Sequence, residues 1–234
     1  MKAFSPKTWL GFGLSLILLA GGTAAAQVLA PGPSAGINAA FVKLLGPGAA
    51  FTAKVETQVL DKSQREVVRM PMDFAALDGK VRLSVKLEEM KSKDMPPNVI
   101  AGLTQAGMNH VVTIYRPDKK VTYALYPGVQ GYTTIQLPKG EVAALQNGLQ
   151  LTQTALGKET LDGHPCVKHR AIVRNDRGPL LEATTWNATD LKNLPIQIEM
   201  KQKDNTVRMH FTQISLVKPD AALFEVPATY KPTK

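Results

Sequence analysis

Between Phe51 and Leu87 apolar and polar residues alternate with a period of two for most of 37 positions, and that alternation limits the chain to a β-sheet with two unlike faces. Phe51, Ala53, Val55, Thr57 and Val59 alternate with Lys54, Glu56 and Gln58. Val68, Met70, Met72, Phe74 and Ala76 then alternate with Arg69, Pro71, Asp73 and Ala75, and Val81, Leu83, Val85 and Leu87 with Lys80, Arg82, Ser84 and Lys86. The breaks agree. Asp61-Lys62-Ser63 is a polar interruption, and Asp78-Gly79 is a two-residue hairpin signal. The pattern predicts an antiparallel meander with one covered face and one wet face.

The start of the chain reads differently. Lys2 and Lys7 precede an apolar run, Leu10 to Ala20, and Thr23-Ala24-Ala25-Ala26 offers small residues for cleavage. Residues 1–26 are predicted to be a secretory signal peptide cut after Ala26, with a retained anchor as the competing reading. The run falls short of the ~20 residues a spanning helix needs. Export to the periplasm follows, without lipidation, because no cysteine stands at the cut. Residues 27–33 read as a mobile lead-in, and residues 34–234 as one domain.

Net charge is +9, and loss of Lys2 and Lys7 leaves about +7. That suits a plain soluble surface or contact with an anionic membrane surface. No basic stripe interleaved with aromatics points to nucleic acid. Cys166 is the one cysteine, so packing alone must hold the fold together.

Ser34 is a predicted N-cap for a helix running to Leu45, with Ile37, Phe41, Leu44 and Leu45 on one stripe, stopped by Gly46-Pro47-Gly48. Two helical insertions are predicted. One covers Asn98–Ala106 behind Pro96-Pro97, with Val99, Ile100 and Leu103 as its apolar side, and the other covers Lys139–Asn147. Strands fill the remainder: 110–115, 121–126, 129–137, 151–161, 165–174, 180–186, 195–203 and 207–217. Apolar parity flips at Ile214 and Leu216, which predicts a β-bulge near Gln213. About 11 strands, an N-terminal helix and two helical insertions make the chain mainly β (α+β).

Several stretches carry a resemblance. They are Leu77-Asp78-Gly79-Lys80-Val81-Arg82, Tyr123-Ala124-Leu125-Tyr126-Pro127, Leu161-Asp162-Gly163-His164-Pro165-Cys166, Thr185-Trp186-Asn187-Ala188-Thr189-Asp190 with Leu191-Lys192-Asn193-Leu194-Pro195, and Leu223-Phe224-Glu225-Val226-Pro227. With the order of elements they resemble an uncharacterised branch of the LolA/LolB-like superfamily of outer-membrane lipoprotein-sorting-like proteins. The resemblance implies a curved, incomplete antiparallel barrel closed by lid helices, holding acyl chains in its hollow. It also implies an arginine tying barrel to lid. Arg82 lies in the corresponding region, but its alternation puts it on the polar face.

On this reading the hollow is lined by Val55, Met72, Phe74, Val81, Leu83 and Val85, continued by Tyr123, Leu125, Trp186 and Ile198, with Val99, Ile100 and Leu103 from a lid. A 14-methylene acyl chain gains roughly 11 kcal/mol gross from burial, at about 0.8 kcal/mol per methylene. Eight methionines suit an adaptable lining. The expected role is therefore a monomeric, non-catalytic periplasmic carrier for a lipid or a lipoprotein's acyl chain. The alternative is an envelope interaction or scaffold protein whose core is filled by its own side chains. His164, Cys166 and His169 are spaced like weak metal ligands, but alternation separates His169 from the other two, and neither metal nor cofactor is expected. No nucleophile elbow, zinc-protease motif or phosphate loop is present to suggest an enzyme.

Overall fold

A computed structural model describes residues 36–46, 48–92, 96–202 and 204–233. The expected leader, the lead-in and Ser34 lie outside these residues, and the N-cap of the first helix is Gly36 rather than the expected Ser34. Helix α1 (Ile37–Leu45) is followed by β1 (Ala50–Asp61), β2 (Glu66–Leu77), β3 (Lys80–Lys86) and the short β4 (Lys91–Ser92). Next come α2 (Pro97–Gln105), β5 (His110–Arg116), β6 (Val121–Tyr126), β7 (Gly131–Gln136) and α3 (Lys139–Asn147). The chain then runs through β8 (Gln150–Leu161), β9 (His164–Asn175), β10 (Gly178–Ala188), β11 (Leu194–Lys201), β12 (Asn205–Ser215) and β13 (Lys231–Pro232).

The thirteen strands among the described residues join one sheet, ordered β13-β7-β6-β5-β3-β2-β1-β12-β11-β10-β9-β8, with β4 beside β2. β13 pairs parallel with β7, and the other pairs are antiparallel. The sheet does not close, because β8 and β13 end its path on opposite sides. The two strands beyond the expected eleven are two-residue pieces, β4 and β13, too short for alternation to register.

The hairpins follow their turn chemistry. Asp78 and Gly79 have φ of 49° and 81°, and Asp162 and Gly163 have 51° and 84°, as two-residue turns between right-twisted strands require. The expected bulge is present: β1–β12 register slips between Thr52/Ser215 and Lys54/Thr212, with Gln213 at φ 49°.

The curvature can be read from one buried side chain. Glu141 on α3 accepts hydrogen bonds from Tyr115 Oη on β5 (2.9 Å) and from the Ala39 and Gly36 amides at the start of α1 (2.6 and 2.9 Å). At Gly36 a Cβ would come within 3.0 Å of Leu180 on β10. β5 and β10 are six strand spacings apart, about 29 Å in a flat sheet. A carboxyl group and the first turn of α1 bridge that span, so the sheet is rolled around its helix-bearing face. Gly36, at φ 99°, is where α1 enters, and any side chain there would meet both strain and Leu180.

Candidate functional site

Cross-strand pairs share a face, so the register assigns each side chain to the inside or outside of the roll. Inside, Val81, Leu83, Phe74, Met72 and Val55 continue through Phe211, Met209 and Ile198 to Ala183, Ala171 and Val173, forming one cluster with Phe41, Leu44 and Leu45 of α1. Phe74 is its centre. Its ring stacks on Phe51 at 5.3 Å and meets Phe211 edge-on at 5.3 Å and Phe41 at 6.4 Å. Apart from Asp61 at the end of β1, no Lys, Arg, Asp or Glu stands at an inner-face position of β1 or β9–β12.

Two helices roof this field unequally. α1 buries Ala39, Ala40, Phe41, Leu44 and Leu45 and packs on β9, β10 and β11. α2 has no fully buried residue among those described, and rests on the inner cluster through half-buried Ile100 and Leu103. Between α1 and α3 lies an open cleft of about 210 Å³, lined by Ala39, Val42, Ala144, Leu145 and Leu149.

The expected lining therefore divides. Val55, Met72, Phe74, Val81, Leu83, Val85 and Ile198 stand together inside, with Ile100 and Leu103 against them. Val99 is half-buried and outside that cluster. Tyr123, Leu125 and Trp186 do not face the hollow. Tyr123 pairs with Ile114 and Leu125 with Val112, which puts both on the outer face with Arg82 and Ser84. Trp186 packs outside with Cys166, Ala188 and Ile196. Alternation within a strand gives two faces but not which of them turns inward, and pairing across strands decides that.

The outer face is not uniformly wet either. Phe224, in the C-terminal segment, is 1% exposed and packs on Ala75, Leu77, Val112, Ile114 and Leu125. Arg116 anchors this segment. Its guanidinium donates to the Phe224 carbonyl (2.8 Å) and to both carboxylate oxygens of Asp118 (2.9 and 2.7 Å), and reaches Glu225 at 2.5 Å. Arg82 is on the outer face as expected, and burial lowers its pKa. Neither Glu141 nor Arg116 carries a sequence signature. One sits in a helix whose apolar stripe is weak, the other at a strand end beside a Pro-Asp turn.

The remaining candidates stay apart. His164 Nδ1 bonds Asp190 at 2.7 Å, Cys166 is buried with its thiol pKa pushed up by burial, and His169 lies on the opposite face. Among the described residues no group of three His, Cys, Asp or Glu is placed to hold a metal. Ser84 Oγ lies 2.8 Å from His110 Nε2, whose pKa is lowered by burial and by nearby Arg82. Ser84 is itself buried. No helix among the described residues is long and apolar enough to cross a membrane.

No family model matches the chain, and no curated protein does. Similar solved structures include the lipoprotein LppX of Mycobacterium tuberculosis, 11% identical with a TM-score of 0.36 over 76% of this chain and 93% of that one. A LolA superfamily protein of Nitrosomonas europaea is 9% identical, with a TM-score of 0.39 over 80% and 94%. LprF of Mycobacterium bovis is 13% identical, with a TM-score of 0.38 over 81% and 97%.

Proposed function

We propose that this protein is an exported, monomeric, non-catalytic carrier that holds the acyl part of a lipid or lipoprotein against the inner face of its rolled sheet. One observation carries the reading: an uncharged apolar field spans strands β3 to β10, and one of its two roofing helices, α2, has no fully buried residue among those described. Ile100 and Leu103, each half-buried, hold α2 down with about 2–3 kcal/mol together. A 14-methylene chain gains roughly 11 kcal/mol gross on burial, so it outcompetes that contact even after substantial association costs. The ligand enters by lifting α2. Residues 34–234 act as one unit, residues 1–26 are removed on export to the periplasm, and the positive charge favours approach to an anionic membrane surface.

The experiment is native mass spectrometry of the gently purified protein, followed by displacement of an environment-sensitive dye by long-chain acyl lipids. Copurified lipid and displaceable dye are expected, and the Ile100→Ser/Leu103→Ser variant is expected to take up dye several-fold faster. N-terminal sequencing of protein from the envelope fraction is expected to begin at Gln27.

A second reading is favoured by a separate observation. Inner-cluster side chains are 0–7% exposed, and the α1–α3 cleft of about 210 Å³ is smaller than the 300–1,000 Å³ usual for ligand sites. On that reading the core is self-filled and the protein is an envelope scaffold. Bare protein that takes up no dye would select it.

A further inference from the structure

Four buried side-chain polar atoms among the described residues have no hydrogen-bond partner: Thr57 Oγ1, His169 Nδ1, Thr185 Oγ1 and Asn187 Oδ1. All four belong to residues on the inner face. Thr185 pairs across the strands with Ile198 of the inner cluster on one side and with His169 on the other. Asn187 is two residues further along β10, in continuous register with β9, and so shares that face. Thr57 lies on the same transverse row, reached from Ile198 through Met209. Thr185, Asn187 and His169 thus form one contiguous polar patch within an apolar wall. Thr185 is 0% and Asn187 6% exposed.

Burying a hydroxyl or an amide oxygen unpaired is unfavourable, and valine or leucine would fill either space without that penalty. The patch also has a definite chemistry. Asn187 Nδ2 is engaged with the Asn193 carbonyl at 3.0 Å, so its free Oδ1 asks for a donor. The Thr185 hydroxyl can donate or accept, and His169 Nδ1 does either according to tautomer. No lysine, arginine or carboxylate shares the inner face of β9–β12, and Lys158 on the edge strand β8, in the row of Asn187 by way of Val167, is exposed to solvent, so no buried charge at the patch balances a charged head.

Resting on the carrier reading above, we infer that this patch selects the ligand's head. The lipid carries an uncharged polar group with both a hydrogen-bond donor and an acceptor, a hydroxyl or an amide, and that group docks on Thr185, Asn187 and His169 while the chain runs along the inner wall.

The test titrates the full chain with 1-monooleoylglycerol, methyl oleate and oleate by dye displacement. These share one acyl chain, but methyl oleate lacks the donor and oleate carries a charge. The wild-type protein is expected to bind monooleoylglycerol at least tenfold more tightly than either. Thr185→Val and His169→Phe are each expected to cut that preference several-fold while dye affinity is kept. The melting temperature of Thr185→Val should be unchanged or raised, since a hydroxyl without a partner is replaced by a methyl. Equal affinity for all three lipids, a preference that survives both substitutions, or a clear loss of stability in Thr185→Val would overturn the inference and leave the carrier reading standing. A protein that binds none of the lipids and no dye would overturn both.

Discussion

Glu141→Ala is expected to lower stability by about 3–5 kcal/mol, the largest effect of any single polar substitution in this fold. Glu141 is 2% exposed and accepts three hydrogen bonds, two from backbone amides of α1 and one from Tyr115 Oη. Its removal leaves three donors in a site closed to water, each worth about 1–3 kcal/mol, with some relief as the site relaxes. Glu141→Gln should fall between wild type and alanine. Its single oxygen can replace Oε1, which serves Ala39 and Tyr115, but its amide then faces the Gly36 N–H, donor against donor. Urea unfolding measures both variants, and a midpoint shift at unchanged slope gives the loss directly. Because Glu141 ties α1 to β5, the alanine variant should also expose Phe41 and the ring cluster below it, raising the fluorescence of a hydrophobic dye. A stability change under about 1 kcal/mol would show that the three bonds are not what closes the roll.

Arg116→Met is expected to cost about 2–4 kcal/mol and to free the C-terminal segment from the outer face. The Arg116 side chain is 5% exposed, but Asp118 and Glu225 are about half exposed and can be rehydrated when the cation goes. That keeps the loss below the upper end for broken buried ion pairs. The buried Phe224 carbonyl then loses its donor, and Phe224 its clamp. Limited proteolysis should cut the variant within residues 221–233 while the wild type resists. Hydrogen bonding from Arg116 holds the Asp118 carboxyl down at about 2, and hydrogen bonds from Lys119 and Arg116 lower Glu225. Carboxyls with depressed pKa values stabilise the fold fully above their unfolded values, near 4, and lose that contribution as pH falls through the folded ones. Wild-type stability should therefore decline between pH 4 and pH 2, and the decline should be shallower in Arg116→Met. Parallel profiles would show that the carboxylates are not coupled to the cation.

The strands, their turns and the helix over residues 139–147 are local properties and were legible as such. Asp78-Gly79 and Asp162-Gly163 allow the positive φ values that the tight turns adopt, and the parity flip at Ile214 recorded the bulge at Gln213. Long-range closure had no such trace. Leu125 is as apolar as Leu83 and Ile198, Tyr123 and Trp186 bring large apolar rings with a polar handle, and only strand pairing sends all three outside. Thr185 and Asn187 looked like ordinary residues at a strand end until the register placed them beside His169.

By itself, then, the sequence determined an antiparallel sheet with chemically distinct faces, because side-chain alternation and turn conformation are set over a few residues. Only the tertiary structure decided which face is enclosed, that Glu141 locks the roll, that Phe224 and Arg116 cover the outer wall, and where buried polar atoms gather. Each of those depends on groups brought together from distant parts of the chain, as Gly36 is with Glu141, and no local pattern encodes such a meeting.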